Sequence, residues 1–332
     1  MKPLFAGLDV SYQTTSICIV DAAGSVALET STATNPDAIA KALKPYRRRL
    51  KLVGQESGNL AAWLQKRLVQ AKLPMVCLDA RHANSALSAR INKTDANDAQ
   101  GLATLLARGI YVTAHIKSDE ASRLQSLLVV RDALLRRTRD LERMVDMTHR
   151  KIPEKAVVDF PSTNAEVDEA LLFALRSLKD TIKNLERNCR ALTQLATRLA
   201  KDSPLCARLM SIPGVGPITA LNFVAAVDDP DRFKASRDVA AYFGLTPKQY
   251  QSGAYARSGK ISRMGSSTMR RALYNAANAL LVRSKSDCAL RRWGLRIARD
   301  RGHKFACVAC ARKLAVVMHR LWVTGETFDE TR

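Results

Sequence analysis

The first third of the chain alternates short β-rich runs with helical patterns. Three strands come first, and the last two are separated by Asp21-Ala22-Ala23-Gly24, which is typical of a turn between antiparallel strands. Hydrophobic periodicity then predicts helices at 36–43, 60–71 and 95–108 and strands at 50–55 and 75–78. Three strands followed by alternating helix and strand is the order of a ribonuclease-H-like sheet. We therefore predict an α/β domain over residues 1–117.

Long polar helices with regularly spaced leucines follow this domain. On the second of them, one set of leucines recurs every seven residues, at Leu171, Leu178, Leu185, Leu192 and Leu199. A second apolar set lies four residues further on, which completes a heptad seam and predicts a helical coiled-coil arm over residues 118–202. Leu127, Leu134 and Leu141 repeat the spacing on the preceding helix. An intramolecular hairpin and a dimer seam both fit the pattern, and we favour dimerisation.

The pattern of residues 203–332 is mainly α-helical. An apolar helix end, the turn Gly214-Val215-Gly216 and a new helix together predict a helix-hairpin-helix-like element. Glycine permits backbone conformations closed to other residues, and helix N-terminal amides can meet a phosphate. Gly214 and Gly216 are therefore candidates for non-specific contact with a nucleic-acid backbone. An ordinary tight helix connection is the alternative interpretation.

Charge points to a polyanionic partner. The 332 residues contain 53 Lys and Arg against 31 Asp and Glu, a formal net charge of +22, and from 239 to 286 there is no acidic residue. Neutralising phosphates with release of counterions is the main sequence-independent source of nucleic-acid affinity. A merely solvated basic face is the alternative, although it usually carries interspersed acids.

Other classes of protein fit the composition poorly. With 47% hydrophobic residues, the chain has material for packed cores, and no apolar run approaches the roughly 20 residues that span a bilayer. Seven scattered cysteines, an odd number, suggest reduced thiols rather than a disulfide framework. We expect neither a disordered tail nor a membrane protein, and a cytoplasmic location.

Four acids stand apart in this basic chain. Asp9 and Glu56 each end an apolar strand, so both carboxylates would emerge at strand ends. Asp95 and Asp98 are three residues apart, which places both on one face of a helix. Hard divalent cations take oxygen ligands, and phosphoryl-transfer sites commonly hold them through carboxylates. We therefore predict that these four acids are catalytic and hold Mg²⁺ or Mn²⁺.

The chain resembles the insertion-sequence "one-ten" family of transposases, which join a RuvC-like DEDD domain to a transposase domain with a reactive serine. In the first part, the resemblance rests on Asp9 in Gly-Leu-Asp-Val, on Glu56 in Glu-Ser-Gly, and on the block from Lys93 to Ala99 that contains Asp95 and Asp98. In the second part it rests on Ile-Pro-Gly-Val-Gly at 212–216, Tyr-Phe-Gly-Leu-Thr-Pro at 242–247, Gln-Ser-Gly at 251–253 and Gly-Lys-Ile-Ser-Arg-Met-Gly at 259–265. It covers nearly the whole chain.

The resemblance implies a DNA recombinase whose serine, here Ser252, attacks a phosphodiester and forms a phosphoserine link. This sequence departs from many relatives around the serine, because Gln251 precedes it and Ala254 and Tyr255 follow the glycine. Basic residues downstream would line one nucleic-acid-binding surface; they are Arg257, Lys260, Arg263, Arg270 and Arg271.

The resemblance also bears on partners. Relatives use a non-coding guide RNA from the element itself, which implies RNA as well as DNA as a partner. Strand exchange needs several active sites on synapsed DNA, so we expect a homo-oligomer, a dimer in solution and a tetramer on DNA. The corresponding location is the bacterial nucleoid.

Three rival interpretations remain open from the sequence. In a Holliday-junction-type endonuclease, the same acids activate water and Ser252 is structural. The start Gly7-Leu8-Asp9-Val10-Ser11 also resembles the first phosphate loop of sugar-kinase or actin-like ATPases, but those need a second copy of the fold, where this chain has long helices. A non-enzymatic DNA-binding module would leave the acids unexplained.

Overall fold

The chain folds into two compact units, Met1–Ser118 and Asp119–Arg332. This computed structural model describes residues 2–88, 94–159, 162–252 and 255–330. The first unit ends one residue beyond the predicted α/β domain. The helices predicted as a separate arm belong to the second unit.

The first unit is a five-stranded sheet with helices on both faces. Its strands are β1 Leu4–Val10, β2 Thr14–Asp21, β3 Val26–Ala33, β4 Leu50–Glu56 and β5 Met75–Leu78. Its helices are α1 Pro36–Leu43, α2 Ala61–Gln70, α3 Ala80–Leu87 and α4 Asp95–Arg108. The strand order is β3-β2-β1-β4-β5, with β1, β2 and β3 antiparallel and β4 parallel to both β1 and β5. The structure thus confirms the α/β prediction for this part of the chain.

Side-chain alternation along β1 divides the core of this unit in two. Leu4 and Leu8 pack on one face with residues of α1 and α2, whereas Phe5 packs on the other face with α4. Gly7 lies on the α4 face, and a Cβ there would stand 2.1 Å from the carbonyl oxygen of Ala99. The absence of a side chain at position 7 therefore lets α4 approach the strand closely.

The second unit is mainly helical, as predicted. Its helices are α5 Asp119–Lys151, α6 Glu154–Asp159, α7 Ala165–Asp202, α8 Pro204–Met210, α9 Pro217–Val227, α10 Ser236–Tyr242, α11 Ser267–Val282, α12 Ala289–Arg301 and α13 His303–Thr324. A two-stranded antiparallel hairpin interrupts them, formed by β6 Pro247–Ser252 and β7 Tyr255–Ile261. The sequence pattern predicted neither this hairpin nor α3.

The two long helices α5 and α7 pack against each other within one chain. Leu175, Cys189 and Ala196, which belong to the predicted heptad seam, are buried in α7. The Arg131 guanidinium of α5 donates through Nε to Thr193 Oγ1 of α7 at 2.7 Å. The buried part of the seam therefore contacts an intramolecular partner, whereas the leucines spaced seven residues apart are half-buried, except Leu199, which is exposed. Dimerisation stays a prediction.

The predicted helix-hairpin-helix element corresponds to α8, the turn at 211–216 and α9. Helix α9 is largely buried, and it packs against α5, α7, α8 and α11. Because α9 is apolar on nearly all sides, it forms the centre of the second unit's core. Among the residues that the structure describes, no helix is long and apolar enough to cross a membrane.

Candidate active site and nucleic-acid surface

Asp9 and Glu56 occupy neighbouring strand ends in the first unit. In the parallel pairing of β1 and β4, Gly7 lies opposite Gly54 and Leu8 opposite Gln55. Asp9 and Glu56 are the next residues of the two strands, and both are half-buried. Because side chains alternate along a strand, Asp9 lies on the face of Gly7 and Glu56 on the face of Gly54. Both positions belong to the face that α4 covers.

Helix α4 carries the other two acids in its first turn. Thr94 is its N-cap, and the threonine Oγ1 accepts a hydrogen bond from the Asn97 amide at 3.2 Å. Asp95 is exposed and Asp98 is half-buried. Carboxylates are favoured at a helix N-terminus, where the backbone dipole is positive. Since Ala99 rests on Gly7, the turn that bears Asp95 and Asp98 lies against the strand that ends in Asp9.

Asp9 and Glu56 line one cavity of about 460 Å³. The cavity wall also offers the hydroxyls of Ser11, Tyr12 and Ser57. Every one of these groups is an oxygen donor, the ligand type of hard divalent cations.

A further acid, which the sequence analysis missed, lies at the end of the next strand. Asp79 follows β5, and its Oδ1 caps α3 by accepting from the amides of Arg81 and His82. Burial, with smaller contributions from the Asp79 and Glu56 carboxylates, raises the pKa of the Cys77 thiol to about 11. The position of Asp79 directly after a short apolar strand is the signal that would have identified it.

The residues present fit a divalent cation held by few protein ligands. Within the described ranges, no group of three or more His, Cys, Asp or Glu side chains is close enough to hold a metal ion. Mg²⁺ commonly uses one or two carboxylates and completes its coordination with water and substrate phosphates. Asp9 and Glu56 suit that arrangement, and the buried Oε1 of Gln55 in the same cavity wall has no hydrogen-bond partner among the described residues.

Ser252 lies at the far end of the β6–β7 hairpin, where it pairs with Tyr255. The neighbouring cross-strand pair on the same face is Tyr250 with Arg257, because directly opposed residues of an antiparallel pair point the same way. Ser252, Tyr250 and Tyr255 are all exposed. The hairpin therefore presents a hydroxyl, two aromatic rings and a guanidinium on one solvent-facing surface. Gly253 and Ala254 lie outside the described residues.

Three of the predicted basic residues converge at this hairpin. Arg257, Lys260 and Arg263 line a cavity of about 630 Å³ together with Lys248 and both tyrosines. Arg263 has a φ of +57°, a conformation that costs energy in residues other than glycine and that occurs often at functional sites. The two tyrosines are not among the site residues predicted from the sequence. The alternation of Lys248, Tyr250 and Ser252 with glutamines is the period-two signal that indicates a strand.

Arg270 and Arg271 both bind other parts of the same unit, although Arg271 is exposed. Arg270 Nη1 donates to the carbonyl oxygens of Phe243, Met264 and Gly265 at 3.2, 2.8 and 2.9 Å. Burial, with a smaller effect of the nearby Arg263, lowers its pKa. Arg271 Nη2 lies 2.6 Å from Asp132 Oδ2 of α5. Both arginines thus have structural partners, and their contact with nucleic acid stays a prediction.

Gly214 and Gly216 differ in whether packing within the fold explains the glycine. Gly214 has a φ of +88°, and a Cβ there would meet the Ala276 carbonyl oxygen at 2.5 Å. The structure thus accounts for Gly214 by its conformation and by close packing on α11. Gly216 is the N-cap of α9 and has open space around its Cα. A role in phosphate contact remains a prediction for both.

Comparison with known proteins defines the class. A protein-family model described as the transposase IS116/IS110/IS902 family matches residues 206–292, and an IS110 transposase model matches residues 6–148. The transposase for insertion sequence element IS1111A of Coxiella burnetii is 31% identical over 250 residues, which cover 71% of this chain and 68% of that protein. The transposase for IS1328 of Yersinia enterocolitica is 26% identical over 72% of this chain and 74% of its own length.

These matches identify the protein as a transposase, an enzyme that cleaves and rejoins DNA strands. The chain belongs to the IS116/IS110/IS902 family, which is the "one-ten" family of the sequence analysis. It is also similar to a pilin gene-inverting protein of Moraxella bovis, at 25% identity over 47% of this chain and 48% of that protein. Among solved structures, the Thermus thermophilus RuvC structure is similar at a TM-score of 0.25 and 10% identity, over 33% of this chain and 99% of that one. A score this low establishes neither fold nor mechanism.

Proposed function

We propose that this transposase cuts and rejoins DNA through Ser252, which forms a phosphoserine link to DNA. In the first step the bond from Ser252 Oγ to phosphorus forms, the bond from phosphorus to the leaving strand oxygen breaks, and the hydroxyl proton passes to a general base. The phosphoester retains the energy needed for rejoining. The observation that carries the proposal is the shared hairpin face, on which Ser252 stands beside Arg257. Fixed positive charge there binds the phosphate and stabilises charge that develops during transfer.

The acids of the first unit would hold Mg²⁺ or Mn²⁺. Asp9 and Glu56 share a cavity lined with oxygen donors, and Asp95 and Asp98 lie in the helix turn packed on the same strand. When bound, the ion lowers the cost of deprotonating a hydroxyl and stabilises the displaced oxygen. In this proposal the acids serve the serine rather than a water molecule. Their sheet, with the order β3-β2-β1-β4-β5, supports assignment to the ribonuclease-H-like and RuvC-like class.

Partners beyond DNA are part of the same proposal. A net charge of +22 suits an enzyme that binds a guide RNA from the element as well as DNA in the bacterial nucleoid. Because strand exchange requires several serines at one synapse, the functional form is a dimer or tetramer. Incubation of the purified protein with the element's flanking transcript, followed by mass photometry, is expected to show RNA-bound oligomers. A monomer that excludes the transcript would refute both statements.

The decisive experiment looks for protein covalently attached to DNA. Purified protein is incubated with Mg²⁺, element-junction DNA and the flanking transcript, and the products are separated on a denaturing gel. We expect an adduct that disappears in Ser252→Ala. Ser177→Ala is the control, because Ser177 is an exposed serine of α7 rather than of the hairpin. Metal-dependent nicks without an adduct, unchanged in Ser252→Ala, would instead show a water-using endonuclease.

The acids are tested separately by single amide substitutions. Asp9→Asn, Glu56→Gln, Asp95→Asn and Asp98→Asn are each expected to lower Mg²⁺-dependent strand cleavage by about 100-fold or more, because each removes negative charge that the proposal assigns to cation binding. Asp37→Asn is the control, since Asp37 is a first-turn acid of α1 outside the cavity. Cleavage at the wild-type rate in Glu56→Gln would refute the metal assignment.

A further inference from the structure

A second, larger groove lies between the hairpin and the C-terminal helices α12 and α13. Its volume is about 1110 Å³. The wall is apolar and includes Trp293, Ile297, Phe305, Val308 and Val316. All charged side chains that line it are basic: Arg257, Lys260, Arg263, Arg301, Arg312 and Lys313. An apolar wall bordered by cations is complementary to a ligand that is both flat and anionic.

Two aromatic rings of this groove each lie beside a basic side chain. The Arg301 guanidinium carbon lies 4.0 Å from the centroid of the Phe305 ring, and Lys313 Nζ lies 4.5 Å from the Trp293 ring. Phe305 is 45% exposed, although it is a large apolar side chain. Nucleobases stack on aromatic rings and on arginine guanidinium planes, and they do so only when they are not paired inside a duplex.

We propose that this groove binds unpaired nucleotides, with bases against the aromatic wall and phosphates on the basic border. The source of the strand is DNA opened at the reaction site or unpaired RNA, since the two share this chemistry. The groove also adjoins the β6–β7 hairpin, which carries Ser252. It is lined by Ser258, Gly259 and Lys260 of β7. Ser258 lies three residues, or about 10 Å along the strand, from Tyr255, which pairs with Ser252. A strand in the groove would therefore lie within a few nucleotides of the serine.

The test measures binding in the Ser252→Ala background, so that no covalent product forms and the outcome is independent of the serine mechanism. The probes are fluorescein-labelled single-stranded DNA and RNA of about 12 nucleotides, a length in the range of known single-strand sites, and duplex DNA of the same sequence. Fluorescence anisotropy with the full-length protein gives the affinities. We expect Phe305→Ala and Trp293→Leu to weaken single-strand binding by about fivefold or more and duplex binding by less than about twofold.

Matched variants separate stacking from general damage. Phe173→Ala removes another exposed aromatic ring, 72% exposed on α7, and should leave all affinities unchanged. Phe305→Tyr keeps an aromatic ring and should bind single strands as tightly as the Ser252→Ala parent. Tighter binding of DNA or of RNA identifies the source of the strand. The proposal would be overturned by equal losses of affinity for single strands and duplex, or by no loss in Phe305→Ala. A changed oligomeric state in Phe305→Ala would also overturn it, because it would indicate a second copy of the chain in the groove.

Discussion

At the scale of single residues, identical amino acids in one motif have different reasons to be there. The sequence assigns Gly214 and Gly216 the same role in phosphate contact, yet only Gly214 has a positive φ and packs against a helix. Arg270 and Arg257 were grouped as one basic surface, yet Arg270 binds three backbone carbonyls. Composition and spacing cannot distinguish these cases, because the contacts depend on tertiary packing: Gly214 meets Ala276 of α11, and Arg270 bonds the Phe243 carbonyl.

The two glycines provide a direct comparison. Gly214→Ala is expected to lower the free energy of unfolding by about 2–4 kcal/mol, because a Cβ at a φ of +88° is strained and meets the Ala276 carbonyl. Gly216→Ala should cost less than about 1 kcal/mol, since nothing lies within 4 Å of the added atom. Urea unfolding followed by circular dichroism measures both. Equal costs would contradict the packing role of Gly214.

Arg270 and Arg257 are expected to differ in whether their removal affects stability or DNA binding. Arg270→Ala is expected to destabilise the protein by about 2 kcal/mol, because three carbonyl oxygens lose a charged donor. Arg257→Ala should change the free energy of unfolding by less than about 0.5 kcal/mol. It should reduce the slope of log affinity against log salt concentration by about 1, the value for one lost phosphate contact. Thermal unfolding and DNA titrations at several salt concentrations check the pair. If Arg270→Ala is as stable as the wild type but binds DNA more weakly, the structural role of Arg270 is wrong.

At the scale of elements, the sequence predicted the regular patterns and missed the irregular ones. The strands and helices of the first unit follow from strong periodicity, and most lie within a few residues of their predicted bounds. The hairpin that carries Ser252 was missed, because its exposed strands contain few apolar residues and lie between strong helical patterns. The partner of the α7 seam was also undetermined, since a heptad reports a contact but not which helix makes it.

A salt bridge between elements explains why Arg271 is not simply a surface charge. Arg271 of α11 and Arg136 of α5 both approach Asp132 Oδ2, at 2.6 and 3.6 Å. A double-mutant cycle of Arg271→Ala and Asp132→Ala is expected to give a coupling of about 0.5–1 kcal/mol that shrinks in 1 M NaCl. The exposed pair Lys183 and Asp180 is the control and should couple more weakly. Zero coupling at low salt would leave Arg271 available for nucleic acid alone.

At the scale of the whole molecule, the candidate site residues are divided between two units. The acids lie in residues 1–118, and the serine lies in residues 119–332, which contain 38 Lys and Arg against 23 Asp and Glu. The sequence predicted the boundary near residue 117, but it also predicted a separate helical arm over residues 118–202, which the structure includes in the second unit. Each unit has its own buried clusters, so cooperative folding of each part is expected.

Separate expression of the two units tests this division. Residues 1–118 should unfold in one cooperative thermal transition, and residues 119–332 should retain most non-specific DNA affinity with a salt slope close to that of the full chain. Circular dichroism and anisotropy titrations give both results. A first unit that binds DNA as tightly as the second would show that the net charge does not determine where DNA binds.

In the proposed mechanism, the position of Ser252 on a two-stranded hairpin makes the reaction depend on strand register. Side chains in a ribbon alternate between faces, so a slip of one residue between β6 and β7 would turn Ser252 away from Tyr255 and Arg257 while the helical core stayed intact. Insertion of one residue in β7, after Ser258, is therefore expected to abolish adduct formation with little change in thermal stability. In the proposed serine mechanism, activity therefore depends on which residues of two short strands share a face.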